Sequence, residues 1–232
     1  MGTFLKIFKT ITSIICSVSL AAVLLLTSVA IFAFNPNFYE ESYTRHNTAA
    51  ELNITGLELT RITHNMIAYL RGETNALDGD IVIDGQLESF FNEQEIIHME
   101  DVQVLFIWGM HIRNAALIVL LIGIGVLIAL KALRQFVRIN QITSIAVLAI
   151  TLLIALLSSL NFDSAFDIFH DIFFRNDLWL FHSPYDRLVI MLPQAFFADI
   201  SFSIFLLFTV LMVVNIALCT AARVVIGRRA KM

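Results

Sequence analysis

Two histidines stand where histidines can do chemistry. His98, in "NEQEIIHMEDVQVLF", has Glu95 and Asp101 each three residues away, so on a helix either carboxylate can share its face. His170, in "FDSAFDIFHDIFF", has Asp167 and Asp171 close by. A carboxylate beside an imidazole fixes its tautomer and favours the protonated ring, and an imidazole of near-neutral pKa can take and return a proton. A plainer account is also open on these residues alone. Glu93, Glu95, Glu100 and Asp101 could simply decorate the positive end of a helix, and a lone histidine is more often structural than catalytic. Two such histidines, in separate segments and each with acidic neighbours, raise the prospect of one shared site.

Other chemistries leave no trace. There is no HExxH, GxSxG, P-loop or glycine fingerprint, and no Cys/His spacing suited to zinc. Cys16 and Cys219 both lie inside apolar runs, which argues against a disulfide framework. His111 and Arg113 could snorkel or line a cavity, and His46, His64 and His182 fall in no pattern. Enzymatic chemistry, if present, must rest on histidines, carboxylates and Arg71.

The elements that would position these residues follow from composition. The 232 residues are 58% hydrophobic and 15% charged, with a mean hydropathy of +0.81. Soluble domains carry about 25% charged residues, so this is a polytopic membrane protein. Four stretches, about 11–34, 104–130, 141–160 and 196–222, are long enough to cross a bilayer as helices. The first exceeds the length of a signal-peptide core, and Ile31 spoils a small-x-small cleavage site, so a retained helix is expected.

Charge then sets the orientation. Lys6, Lys9, Lys131, Arg134, Arg138, Arg223, Arg228, Arg229 and Lys231 occupy the N-terminus, the middle loop and the C-terminus, with no acidic residue among them. Segments 35–103 and 161–195 hold nearly all the acidic residues. The positive-inside rule puts both termini in the cytoplasm and both larger segments outside. The expected fold is an all-α polytopic membrane protein, a single membrane domain of four transmembrane helices, with a small extracytoplasmic α/β segment and an interfacial helix.

Within the first outer segment, "NPNFYEESY" leaves the first span through Pro36, with Phe38, Tyr39 and Tyr43 suited to the headgroup level. Leu59, Ile62, Met66 and Leu70 recur at helical spacing, and Gly72 is a plausible stop. "DIVIDGQLESFF" predicts a hairpin turning at Asp84-Gly85. Asn92 and Glu95 form a capping-box pattern opening a helix that nothing obvious ends before Arg138. In the second segment Phe162, Phe166, Phe169 and Phe173 make one stripe and Asp163, Asp167 and Asp171 another. That pattern predicts a helix lying in the interface plane, rings toward lipid, with His170 on the seam. Trp179 and Tyr185 fit an aromatic belt, and Pro184 and Pro193 punctuate the return to the fourth span.

Together these pieces resemble the bacterial lipoprotein intramolecular transacylases, the Lit-type membrane proteins. The residues that carry the resemblance are "NFYEESY", "YLRG" (69–72), "FFNEQEIIHMEDVQVLF" (90–106), "FH" (169–170), "NDLWLFHSPYDRL" (176–188) and "MLPQAFFAD" (191–199). Gln103 departs from the family pattern, where lysine is common. The resemblance implies a cell-membrane acyltransferase, acting at the outer face, that moves the sn-2 acyl chain of a diacylglyceryl lipoprotein onto its N-terminal cysteine amine. The product is the lyso form, and no metal or soluble cofactor is required. It also implies His98 and His170 as catalytic histidines, Asp101 as orienter of His98, and Arg71, Tyr39 and Trp179 as substrate-binding residues. The lipoprotein substrate and membrane lipid are the expected partners. The other reading is a non-catalytic membrane protein whose outer segments bind a partner.

Overall fold

The computed structural model describes residues 2–77, 79–83, 86–182 and 186–229. In chain order the elements are α1 (Gly2–Ala33), α2 (Pro36–His46), α3 (Thr48–Glu51), α4 (Gly56–Leu70), β1 (Asp80–Ile83), β2 (Gln86–Ser89), α5 (Glu93–Ala129), α6 (Leu133–Leu160), α7 (Phe162–Phe173), α8 (Arg187–Met191) and α9 (Gln194–Arg229). Four of these helices, α1, α5, α6 and α9, are long and apolar enough to cross a membrane. The chain is thus an integral membrane protein with four spans, mostly helical, with one small antiparallel sheet. It divides into two compact units, one of residues Met1–Val29, Met110–Ser159 and Ser203–Met232, the other of Ala30–Gly109 and Leu160–Phe202.

The first unit contains no acidic residue and ten basic ones; every acidic residue lies in the second. Its core is built on α1. Cys16 packs with Leu120 and Leu127 of α5 and Phe136 of α6, while Ala21 packs with Phe208 and Met212 of α9. The hydroxyls of Thr10, Thr12, Ser13, Ser17 and Ser28 each donate to the carbonyl one turn back in α1, so they need no partner helix. Interhelical polar bonds join α6 to α1, where the Gln135 amide donates to Thr10 Oγ1 at 2.6 Å, and α6 to α9. The Asn140 amide donates to Asn215 Oδ1 and Cys219 Sγ, both at 3.2 Å, and the Asn215 amide donates to Ser144 Oγ at 2.8 Å. Asn140 Oδ1 itself is buried without a partner among the described residues.

Helix α5 ends at Ala129, beside the expected end of the second span near 130, although no stop signal stood in the sequence before Arg138. Lys131 adopts the left-handed conformation (φ 52°), its N–H donates to Ile128 O, and Ala132 N–H donates to Leu127 O at 2.8 Å. This is a Schellman stop, closed by the contact of Ala132 with Leu127 in the same core cluster. Glycine usually holds the left-handed place, which is why a lysine there gave no sign of it.

In the second unit α4 forms where the apolar spacing put it. Thr55 and Glu58 cap its start reciprocally, and Leu59, Ile62, Met66 and Leu70 are buried. Its end is a second Schellman stop, with Gly72 at φ 72° as anticipated. Strands β1 and β2 pair in the register Ile83↔Gln86 to Asp80↔Ser89; the turn residues Asp84 and Gly85 lie outside the described residues, as do Pro184 and Tyr185. Directly after the hairpin, Phe90 and Phe91 are buried, Asn92 Oδ1 accepts from Glu95 N–H, and Glu95 Oε2 accepts from Asn92 N–H, opening α5. Helix α7 starts on Asn161, whose side chain accepts from Ser164 N–H, and presents Ile168, Phe169, Ile172 and Phe173 as an exposed apolar edge. Phe166 leaves that edge and packs inward, against His170 and Phe197.

Candidate functional site

His98 sits in the second turn of α5, before the apolar run that begins near residue 104, and His170 sits in the last turn of α7. The fold brings them together. Their imidazole centroids are 6.1 Å apart, with the rings inclined by 29°. His98 is 6% exposed and His170 7%. Aromatic rings close the space: Phe174 and Phe181 approach His98 edge-on at 5.0 and 5.3 Å, and Trp179 stacks on His170 at 4.6 Å. Phe166 lies 4.2 Å from His170 on its other flank.

This setting fixes what each imidazole can do. His170 Nδ1 lies 2.8 Å from the Phe166 carbonyl, which can only accept, so Nδ1 carries the proton and Nε2 the lone pair. Burial lowers the His170 pKa, against the Phe166 hydrogen bond and the carboxylates of Asp167 and Asp171, which raise it. His98 is pushed down to about 4, chiefly by burial, then by His170, with Asp101 opposing. Its Nδ1 is buried and has no hydrogen-bond partner among the described residues. The result is two neutral imidazoles in one apolar enclosure, each in its basic form, a weaker base than a solvated histidine and a readier donor once protonated.

The carboxylates expected beside His98 are placed differently from each other. Asp101 accepts from the Asn176 amide at 2.9 Å, so its contribution to His98 is a field rather than a hydrogen bond. Glu95 turns away from His98. It is fully buried, accepts from Leu188 N–H at 2.5 Å, and holds the start of α8 against the start of α5. Burial raises its pKa, while the Leu188 and Asn92 amides pull it down.

Asp186 completes this brace, accepting from the Asn92 amide at 2.8 Å and from His182 N–H at 2.6 Å. The opening turns of α5 therefore grip residues 174–188 at four positions, through Asn92, Gln94, Glu95 and Asp101.

Of the other residues singled out, Trp179 lies against His170, but Arg71 and Tyr39 make their contacts elsewhere. Arg71 donates to the Phe34 carbonyl at 3.2 Å, lies over the Phe34 ring, and is 3.7 Å from Glu73. The Tyr39 hydroxyl donates to Ala33 O at 2.8 Å, and its buried ring packs on Phe196. Sequence reasoning passed over Phe174, Phe181, Asn176 and Gln94. They appeared only inside longer stretches, Asn176 and Phe181 in "NDLWLFHSPYDRL", Gln94 in "FFNEQEIIHMEDVQVLF" and Phe174 in "FDSAFDIFHDIFF", since the contacts that give them a role join segments far apart in the chain.

A model of the family described as lipoprotein intramolecular transacylase Lit matches residues 14–197. Among solved structures, the membrane integral lipoprotein intramolecular transacylase Lit from Bacillus cereus superposes with a TM-score of 0.78 at 20% identity, covering 100% of both chains. Two variants of that protein, in which one histidine is replaced by arginine or by alanine, give TM-scores of 0.77 and 0.76, both at 20% identity. The arginine variant covers 99% of this chain and 97% of its own, and the alanine variant 99% of each. At that identity the likeness speaks for the fold. No curated protein matches the sequence.

Proposed function

The chain is an enzyme of the Lit family of lipoprotein intramolecular transacylases, and from that premise we propose that it moves the sn-2 acyl chain of a diacylglyceryl lipoprotein onto the α-amine of the N-terminal cysteine. The amine nitrogen attacks the ester carbonyl, an amide forms, and the C–O bond to glycerol breaks. The proton lost by the amine ends on the freed sn-2 oxygen. Product and substrate are isomers, so no water or second substrate enters the balance.

The observation that carries this reading is the enclosed pair of neutral imidazoles, His98 and His170. One basic nitrogen takes the amine proton and then, as imidazolium, delivers it to the glyceryl oxygen. The low pKa of the enclosure makes that second delivery favourable. Asp101 supports the transient imidazolium by its charge. Donor and acceptor groups belong to one molecule, so holding them in attack geometry supplies much of the acceleration, and Phe174, Trp179 and Phe181 offer an apolar wall for the task. Arg71 keeps an exposed guanidinium that suits a headgroup or glyceryl oxygen, whereas Tyr39, its hydroxyl committed to Ala33, offers packing alone.

Orientation belongs to the same proposal: termini in the cytoplasm and the site at the outer face, on the strength of a first unit with no acidic residue. The test is purified protein with a purified diacylated lipoprotein, without added thiol or metal. Mass spectrometry should find unchanged total mass, a blocked N-terminal amine, and fragment ions carrying the acyl group on nitrogen. Persistence of the free amine at full enzyme loading would overturn the proposal.

A further inference from the structure

Both histidines are covered by the loop that follows α7, which contributes Phe174, Trp179 and Phe181. Between residues 174 and 182 this loop contains no helix or strand; Leu180 N–H donates to Asp177 O and Phe181 N–H to Trp179 O, both at 3.1 Å, so it is folded into local turns. What ties these turns to the rest of the site comes from α5. Gln94 Nε2 donates to Leu178 O at 3.0 Å and to Leu180 O at 3.2 Å, the two carbonyls that flank Trp179. A primary amide has two N–H groups on one nitrogen, and here each has an acceptor on one side of the indole.

We propose that Gln94 is a positioning residue for the transfer: by bracketing Trp179 it sets the indole on His170 and keeps that imidazole enclosed in its working orientation. The inference rests on the reading of His170 as catalytic. The neighbouring tie between Asn176 and Asp101 holds the loop two residues earlier. Gln94→Glu is nearly isosteric and replaces the amide donors with oxygens that face two carbonyls. Gln94→Ala removes the donors without adding repulsion.

The chain has two tryptophans, and Trp108 is mostly exposed, so Trp108→Phe leaves Trp179 as sole reporter. An indole stacked on imidazole is quenched when the imidazole protonates, and the pH of quenching therefore reads His170. The charged and titratable groups around His170 are Asp167 and Asp171 on its own helix and His98 on α5; Trp179 and Phe174 on the loop carry no charge.

The experiment uses the full chain in nanodiscs and measures Trp179 emission against pH together with turnover of diacylated lipoprotein. The parent should quench below the ordinary histidine pKa. In Gln94→Glu and Gln94→Ala the midpoint should move up toward the ordinary value, emission should shift to the red, and kcat should fall roughly tenfold with KM nearly unchanged. Variants that titrate and emit like the parent would overturn the proposal, whatever their turnover. If the titration moves but the parent itself transfers nothing, Gln94 stands as the holder of the stack and the catalytic reading of His170 fails.

Discussion

Cys16 Sγ occupies the place where a side chain at Gly123 would begin: a Cβ on Gly123 would lie 2.2 Å from it. Helices α1 and α5 therefore meet at a contact only glycine permits. Gly123→Ala should destabilise the protein by about 1–3 kcal/mol, the range for overpacking a filled interior. Cys16→Ala in the same chain should restore much of the loss, which a double-mutant cycle on melting temperatures would measure. Additive effects would mean that the two residues do not meet.

The two histidines should behave as a unit. His98→Ala or His170→Ala alone should remove most formation of lyso-lipoprotein, and the double variant should lose little more, because groups serving one step are non-additive. Losses that multiply, or substantial activity in the double variant, would separate the histidines from the mechanism.

Burial of neutral imidazole has a pH signature. The folded protein binds fewer protons than the unfolded chain between the lowered pKa of His98, about 4, and its ordinary value of 6.5. Stability from this source is complete above about pH 6.5 and is lost as pH falls through that window. Melting temperature measured from pH 7.5 to 4.5 should drop in the parent more steeply than in His98→Phe. The acid limb of the turnover profile should likewise lie below 6.5, since the base stays neutral there.

Glu95 should prove structural. Glu95→Ala orphans the Leu188 and Asn92 amides in a buried setting, which costs about 2–4 kcal/mol. Glu95→Gln, which keeps one acceptor, should fall between. A catalytic Glu95 would instead lose turnover in the glutamine variant at unchanged melting temperature.

For orientation, a cysteine introduced at residue 76 should react with a membrane-impermeant thiol reagent on intact cells, and one at 135 should react only after lysis. The native thiols are both buried, so the background should be low. Equal labelling would overturn an outer-face site.

What the sequence made legible follows from how local each signal is. Apolar length marked the four long helices, and Asn92 with Glu95 marked the start of α5, because capping is decided within one turn. The apolar run ended near 130, close to the end of α5, but the device that ends it was hidden, since a Schellman stop at Lys131 shows no glycine in the left-handed place. His98 and His170 drew notice through their acidic neighbours. In the fold their environment comes mainly from aromatic rings, and Glu95, three residues from His98, points into a different brace. Helical spacing says which residues can share a face; it does not say which partner arrives there from elsewhere in the chain. Arg71 and Tyr39 show the same limit, their polar groups taken up by Phe34 and Ala33 at the end of α1.

The inward-bonded hydroxyls of α1 bear on the order in which the membrane part is assembled. With the hydroxyls of Thr10, Thr12, Ser13, Ser17 and Ser28 each donating within the helix, α1 can enter a bilayer with those donors satisfied; its packing on α5 and α9 is then a matter of shape, and Gln135 of α6 adds a hydrogen bond to Thr10 Oγ1. Helix α6 is in the opposite position. It crosses with Asn140 and Ser144 on board, and it reaches its final state only when α9, made after it, delivers Asn215. The helix that closes the polar lock thus emerges after α6 has crossed, and a chain truncated before residue 215 should stall as an inserted but unlocked intermediate.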